Sequence, residues 1–213
     1  MKPETGNDFA TDARLRVADA TRHLLDSVLT ADEVTDDELV AAADAVEAIA
    51  DRLHGDAASD PRPVGRRARR ERHFDFLVRS PIVGPVNPLA PPLVWDRDDE
   101  HIVATGLFGA AYEGPPGYVH GGWIALGFDE VLGMANIANE TPGMTGKLVI
   151  RYRLPTPLFT PVRFESWTDR LEGRRIHTRG TLHAGDQLLA EAEGLFIAIT
   201  REVADKYFGR EDS

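Results

Sequence analysis

The chain has 213 residues, of which 42% are hydrophobic and 28% charged, a composition typical of a folded globular protein. It contains no cysteine, which excludes disulfide bonds, a thiol nucleophile and thiolate metal centres. The net charge of −11 disfavours unaided binding to nucleic acid. The first residues lack the apolar core of a signal peptide, and no apolar run approaches the roughly 18 residues of a transmembrane helix. We therefore expect a cytoplasmic protein that binds neither nucleic acid nor membranes.

The charge is distributed unevenly along the chain. Residues 1–60 carry 5 basic and 15 acidic groups, whereas residues 61–79 carry 7 and 2. We therefore expect an acidic helical extension over residues 1–60, followed by a basic and Pro-rich arm over residues 61–92. A strand-rich domain over residues 93–200 and a C-terminal tail over residues 201–213 complete the chain. The role of residues 1–92 is left open.

Two helices are predicted in the acidic extension. The second is the clearer one, because Thr35 and Glu38 have the spacing of a capping box. An apolar stripe at helical spacing follows, formed by Leu39, Ala42, Val46, Ile49 and Leu53. An earlier helix is expected near residues 11–29. The basic run from Arg66 to Arg72 would dock on these acidic helices or remain solvated, and five prolines between residues 80 and 92 exclude a helix and favour an extended arm.

From residue 93 the pattern changes to strands around one long apolar helix. Two strands separated by a polar turn come first, at residues 93–95 and 102–108. The helix is predicted over residues 122–138. Four more strands, joined by hairpin turns, are predicted at residues 144–153, 162–171, 174–184 and 187–199. This order predicts an α+β fold in which an antiparallel sheet wraps around one long central helix.

The start and the middle of this helix carry candidate functional groups. Gly121 and Gly122 follow His120, and the unpaired N–H groups of a helix start favour a carbonyl oxygen or an oxyanion, although a tight loop explains two glycines equally well. Asp129 shares its helix face with small residues, which leave room for a ligand or permit close helix packing. Glu130 points 100° away from Asp129 and is interpreted as structural.

Together with motifs in the later strands, these residues resemble the hotdog-fold acyl-CoA thioesterases. Among these enzymes, the motifs resemble the PaaI type and the thioesterase superfamily member 4 group. The resemblance covers roughly residues 93–200 and rests on the order and spacing of short motifs: His120-Gly121-Gly122, Asp129, Thr145, and the sequences at residues 151–158, 172–175 and 190–196.

The resemblance implies hydrolysis of an acyl-CoA thioester. In such enzymes the N–H matching Gly121 polarises the thioester carbonyl, and the histidine matching His120 helps to build that end of the site. The carboxylate matching Asp129 acts as nucleophile or as general base, and a hydroxyl matching Thr145 orients water or the carboxylate. The resemblance further implies a homodimer or a dimer of dimers, in which Gly121 of one subunit faces Asp129 and Thr145 of the other.

The chemistry of thioester hydrolysis agrees with these roles, since a fixed backbone donor stabilises the negative charge that develops on a thioester carbonyl. Candidate contacts to the substrate and its phosphates are Gly122, Arg151, Arg153, Arg174 and Arg175. Tyr118, Trp123, Leu126 and Phe128 would line an acyl tunnel or belong to the core, and fatty acyl chains are favoured. Several relatives carry Asn or Gln at the position of Gly114, so a second side-chain contact to the substrate is in doubt.

No metal and no cofactor are expected, because the histidines lack metal-ligand spacing and no P-loop or GxGxxG motif is present. One alternative is a hotdog enoyl-CoA hydratase, which is disfavoured because no histidine follows Asp129 before His177. A second alternative is a non-catalytic acyl-CoA sensor in which residues 61–79 contact DNA and the hotdog domain binds the ligand. The acidic charge of residues 1–60 argues against a helical DNA-binding module, and the spacing of Asp129 and Thr145 argues for catalysis.

Overall fold

A computed structural model of the chain describes residues 10–54, 75–98 and 101–200. Its α-helices are α1 (Asp12–Thr30), α2 (Asp36–His54) and α3 (Gly121–Ala138). Its strands are β1 (Val94–Asp98), β2 (His101–Gly106), β3 (Gly143–Tyr152), β4 (Val162–Glu172), β5 (Arg175–Ala184) and β6 (Gln187–Ala198). The expectations for the basic run Arg66–Arg72 and for the C-terminal tail lie outside the described residues.

The six strands form one antiparallel sheet in the order β1-β2-β4-β5-β6-β3, and α3 packs against one face of it. This confirms the predicted fold class, and the observed bounds of α3 and of β3 to β6 agree with the predicted ones to within one residue. β1 differs, because it continues to Asp98 through residues that the sequence assigned to a polar turn. Asp96 and Asp98 pair with Val103 and His101 on an exposed edge strand, where polar side chains are tolerated.

The core lies between α3 and the sheet. α3 has an apolar stripe, formed by Ile124, Phe128, Val131 and Ala135, which is buried. The ring of Phe128 meets that of Phe164 edge-to-face at 5.2 Å, and the Ser166 hydroxyl donates a 2.7 Å hydrogen bond to the Val131 carbonyl. Full burial of a large apolar side chain stabilises a fold by about 1.5–3 kcal/mol. These contacts fix the rotation of α3 and thereby decide which of its residues remain accessible.

β3 is an edge strand with a one-residue bulge. The register shifts between Thr145 and Lys147, so Gly146 has no partner on β6. Thr145 pairs with Phe196, and Tyr152 pairs with Ala190. Both partners are buried on the helix-covered face of the sheet. Thr145 and Tyr152 consequently lie on the face that carries α3.

The two predicted N-terminal helices are both present. Thr35 and Glu38 form the expected capping box, with a 2.9 Å hydrogen bond from the Thr35 N–H to Glu38 Oε2. The apolar stripe of α2 is exposed, and Leu53 reaches 66% exposure. α1 is anchored by Arg22, whose guanidinium donates to the carbonyls of Pro85, Asn87 and Ala90 at 2.9–3.0 Å. None of the helices in the described part of the chain is long and apolar enough to cross a bilayer.

Residues 80–92 contain no helix, as the prolines predicted, but they follow a series of turns and not an extended path. Backbone hydrogen bonds of 3.1 Å run from Gly84 to Ser80, from Asn87 to Gly84 and from Ala90 to Asn87. Proline excludes helix without excluding turns, and Ser, Gly and Asn favour them. This segment contributes to the same core as the sheet, through Ile82 and Val83.

Candidate functional site

The amino end of α3 is capped by the side chain of the residue that precedes it. His120 has an extended backbone (φ −61°, ψ 131°), and its Nδ1 accepts a 3.0 Å hydrogen bond from the Gly122 N–H. The Trp123 N–H donates to the His120 carbonyl at 3.0 Å. Among the residues that the structure describes, the Gly121 N–H has no acceptor. It is the free donor at the positive end of the helix dipole.

Gly122 is required by the position of the His120 ring. A Cβ atom at residue 122 would lie 3.0 Å from His120 Nδ1 and 3.2 Å from Cε1. Such a contact is tighter than most side-chain contacts, so a larger residue would make the ring shift by a few tenths of an ångström and would weaken the cap. The second glycine of the motif thus makes room for the histidine cap.

Gly114 is constrained by the same residue. A Cβ atom at residue 114 would lie 2.7 Å from the Cα atom of His120 and 3.1 Å from its backbone nitrogen. Because backbone atoms cannot give way locally, no side chain fits here without moving His120. Residue 114 therefore contributes only backbone to this part of the site and no side-chain contact.

Tyr152 is a member of this site that the sequence analysis did not single out. Its hydroxyl donates a 2.8 Å hydrogen bond to the Gly121 carbonyl. The Tyr152 phenol is protonated at neutral pH at its ordinary pKa of 10.0 and can therefore donate, and partial burial raises this pKa further. The residue lies within the predicted strand and within the motif at residues 151–158. Because strand propensity does not tell which face a side chain occupies, its contact with the helix start was not evident.

The middle of α3 and the beginning of β3 bring a carboxylate and a hydroxyl together. Thr145 Oγ1 donates a 2.8 Å hydrogen bond to Asp129 Oδ1. Asp129 is half-buried, and the exposed Leu126 lies one helical turn before it. The pair that the sequence singled out at sixteen residues' separation is therefore a direct contact. A carboxylate held in this way presents its other oxygen to a ligand.

Glu130 lies beside Asp129 but in a different environment. It is half-buried and accepts a hydrogen bond from the Ser80 side chain. Burial is the main cause that raises the pKa of Glu130, the bond from Ser80 lowers it, and the charge of Asp129 raises it further. Ser80 also accepts hydrogen bonds from the N–H groups of Ile82 and Val83, at 3.0 and 3.2 Å. Glu130 thus ties α3 to the segment of turns.

The four candidate arginines do not come together. Arg151 lies on the sheet face opposite α3, beside Trp167 and Arg179 in a shallow groove. Arg153 forms an ion pair with Glu191 at 2.5 Å. Arg174 and Arg175 are exposed at the other end of the sheet, near the turn between β4 and β5, and Arg174 Nη2 donates to the Ala198 carbonyl at 3.4 Å.

The candidate acyl-contact residues also separate. Phe128 is fully buried in the core, and Trp123 packs edge-to-face on Tyr112 at 4.9 Å. Leu126 and Tyr118 remain 45% and 41% exposed. Within residues 10–54, 75–98 and 101–200, no group of three or more His, Asp or Glu side chains is arranged to hold a metal ion.

Comparisons with known proteins show the family of the chain. The family model described as Thioesterase superfamily matches residues 116–191, which include both ends of the site. A solved structure described as a thioesterase superfamily protein is 35% identical, and the match covers 86% of this chain and 90% of that chain with a TM-score of 0.74.

Curated relatives carry a more specific name. The acyl-coenzyme A thioesterase THEM4 of Mus musculus is 33% identical over 112 residues, which are 52% of this chain and 48% of that protein. The protein of the same name from Bos taurus is 34% identical over 111 residues, which are 50% of this chain and 45% of that protein. The chain therefore spans about half the length of the curated relatives that it matches.

Proposed function

Because the chain belongs to the thioesterase superfamily, we propose that it hydrolyses acyl-CoA thioesters to a carboxylic acid and coenzyme A. The observation that carries the proposal is the pair of groups on α3, a free N–H at Gly121 and an oriented carboxylate at Asp129. Hydrolysis of a thioester needs a donor for the carbonyl oxygen and a nucleophile or base for the attack on its carbon. The names of the curated relatives support the same substrate class.

In the proposed reaction, the thioester carbonyl accepts a hydrogen bond from the Gly121 N–H, which stabilises the oxyanion that develops as the carbonyl carbon is attacked. Asp129 either attacks this carbon itself or removes a proton from an attacking water. Collapse of the tetrahedral intermediate breaks the carbon–sulfur bond, and the coenzyme A thiolate leaves. His120 supports the donor by capping α3, and Thr145 holds the carboxylate in position.

The proposed site is completed by a second copy of the chain. Gly121 and Asp129 are eight residues apart in one helix and therefore about 12 Å apart along its axis. One carbonyl group cannot contact both. We infer a homodimer in which Gly121 of one subunit and Asp129 with Thr145 of the other share a substrate, and pairs of dimers remain compatible with this arrangement. The exposed edge strand β3, with Tyr152 at 52% exposure, supports pairing next to both groups.

We further propose that the acyl group is a fatty chain, because the exposed Leu126 lies one turn before Asp129 and offers an apolar contact. Arg174 and Arg175 are the best candidates to bind the coenzyme A phosphates. They are exposed at the end of the sheet where Thr145 lies, since Arg175 pairs with Ile197 and Thr145 pairs with the adjacent Phe196. Arg153 is already engaged by Glu191.

The test uses the purified full-length chain and acyl-CoA substrates with short, long and aromatic acyl groups. Released coenzyme A is read with a thiol reagent, to which the cysteine-free protein contributes no background. We expect fatty acyl-CoA to be hydrolysed best, and Asp129→Asn to lower kcat by roughly 10²- to 10⁴-fold while the protein stays folded.

Glu130→Gln is the matched control, since it neutralises the adjacent carboxylate on the same helix and should hydrolyse at a near wild-type rate. A folded wild type that hydrolyses none of these substrates, or an Asp129→Asn variant with full activity, would overturn the proposal. Sedimentation velocity checks the homodimer, which an active monomer would contradict.

A further inference from the structure

The peptide unit between Gly121 and Gly122 is held on both sides by side chains. Its carbonyl oxygen accepts the 2.8 Å hydrogen bond from the Tyr152 hydroxyl. Its N–H donates the 3.0 Å hydrogen bond to His120 Nδ1. A carbonyl oxygen has two lone pairs, so it can accept a side-chain donor in addition to a helical N–H. The two contacts together define the plane of this peptide.

A pair of glycines needs such support. Glycine has more backbone freedom than any other residue, and the first turn of a helix has few intrahelical hydrogen bonds. The Gly121–Gly122 peptide meets the peptide that carries the Gly121 N–H at the Gly121 Cα atom, so a displacement of the first peptide shifts this atom and moves the Gly121 N–H with it. A donor that changes direction loses most of its value for an oxyanion, because that value depends on being aligned beforehand.

The Tyr152 ring also lies against Gly121. A Cβ atom at residue 121 would be 3.4 Å from the Tyr152 hydroxyl oxygen and 3.5 Å from Cζ. These are ordinary van der Waals distances, so the ring packs against Gly121 in addition to donating its hydrogen bond. β3 carries Tyr152 on the helix-covered face opposite Ala190, a small residue that leaves the ring room.

We propose that Tyr152 is a positioning residue that fixes the Gly121–Gly122 peptide and thereby aims the Gly121 N–H at the thioester carbonyl, an inference that rests on the proposed hydrolysis. His120 supports this peptide from its N–H side, and Tyr152 supports it from its carbonyl side. Tyr152 does not touch the substrate in this role. Its effect is therefore expected in kcat and not in KM.

The test is Tyr152→Phe, which keeps the ring and removes the hydroxyl. We expect kcat to fall about tenfold, as for the loss of one hydrogen bond, with KM little changed. The matched control is Tyr112→Phe, because the Tyr112 hydroxyl also donates to a carbonyl, that of Leu89 at 3.2 Å. Phenylalanine keeps the two contacts of Tyr112 with the helix start, its ring on Trp123 and its backbone carbonyl on the His120 N–H. The control should lose stability and keep its kcat.

A second measurement does not depend on hydrolysis. Hydrogen exchange followed by NMR reports on the Gly121 and Gly122 amides, and in Tyr152→Phe the Gly122 N–H should exchange faster than in wild type or in Tyr112→Phe. If wild type hydrolyses no acyl-CoA, the proposed function fails while this readout still tests the contact. An unchanged kcat, or a reduced kcat with unchanged Gly121 and Gly122 amides, would overturn the positioning role of Tyr152.

Discussion

The two ends of the candidate site are built on the same pair of elements, α3 and β3, but they carry different kinds of chemical group. At each end a hydroxyl of β3 donates a 2.8 Å hydrogen bond to α3, from Tyr152 to the Gly121 carbonyl and from Thr145 to the Asp129 carboxylate. At the first end the chemical group is part of the backbone, and at the second it is a side chain. β3 thus supports both the backbone dipole at Gly121 and the charge of Asp129 with the same kind of contact, a hydroxyl that donates a hydrogen bond.

The difference matters for what each end tolerates. A carboxylate is defined by residue type, so replacing Asp129 removes the group itself. A backbone donor survives most substitutions, but its direction depends on neighbours such as His120 and Tyr152. The amino end should therefore fail by misalignment and the carboxylate end by loss of chemistry. Apart from Asp129→Asn, the following changes separate these two modes.

Gly122→Ala should have the largest effect at the amino end. The new Cβ atom would lie 3.0 Å from His120 Nδ1, so the ring must shift by a few tenths of an ångström and its hydrogen bond to the Gly122 N–H is weakened. We expect kcat to fall by roughly 10- to 100-fold, because the oxyanion donor is misaligned, and the unfolding free energy to fall by about 1 kcal/mol, as for a lost helix cap. Steady-state kinetics and urea unfolding measure the two.

In the Gly122→Ala background, Tyr152→Phe should cost less than in wild type, because the peptide it supports is already displaced. Equal costs in both backgrounds would contradict the view that His120 and Tyr152 act on the same peptide.

Thr145→Val should have a smaller effect at the carboxylate end. The substitution removes the hydroxyl that orients Asp129 but leaves the carboxylate itself, so we expect kcat to fall about tenfold. Thr145→Ser restores the donor and should recover most of the rate. If valine and serine behave alike, the hydroxyl does not position the carboxylate.

Glu130→Gln should have the smallest effect, on stability alone. Burial raises the pKa of Glu130 above its ordinary value of 4.5, so its folded-state stabilisation is complete at low pH and is lost as pH rises through the raised pKa. Glutamine never ionises, and it can still accept from Ser80. The variant should melt about 2–4 °C higher than wild type at pH 7, with the two converging near pH 4. A lower melting temperature at pH 7 would contradict this.

The site residues that are recognised by their residue type and by helical periodicity could be predicted from the sequence. Asp129 and the glycine pair could be placed on α3 because its apolar stripe defines the opposite face. Tyr152 could not be assigned, since its face depends on a bulge that no local pattern announces. The position of Arg151 away from α3 follows from the same strand register.

At the edges of the fold, the sequence was less informative because polar residues are compatible with several structures. β1 extends to Asp98, since exposed edge pairing does not require apolar side chains. The capping box at Thr35 predicted where α2 begins, but a local motif carries no information about what covers the helix. The steric reason for a glycine at residue 114 is the position of the His120 backbone, which the sequence alone does not give.

The bulge at Gly146 determines which face of the sheet the later residues of β3 occupy. On a regular strand, residues separated by an odd number of positions face opposite sides, and Thr145 and Tyr152 are seven apart. Gly146, which has no partner on β6, adds one residue between them. Thr145 and Tyr152 therefore lie on the same face of the sheet, and both hydroxyls reach α3. Deleting Gly146 would turn one of them to the opposite face of the sheet. Gly146 has no side chain and no role in the chemistry, and yet it keeps both ends of the site on the same face of the sheet.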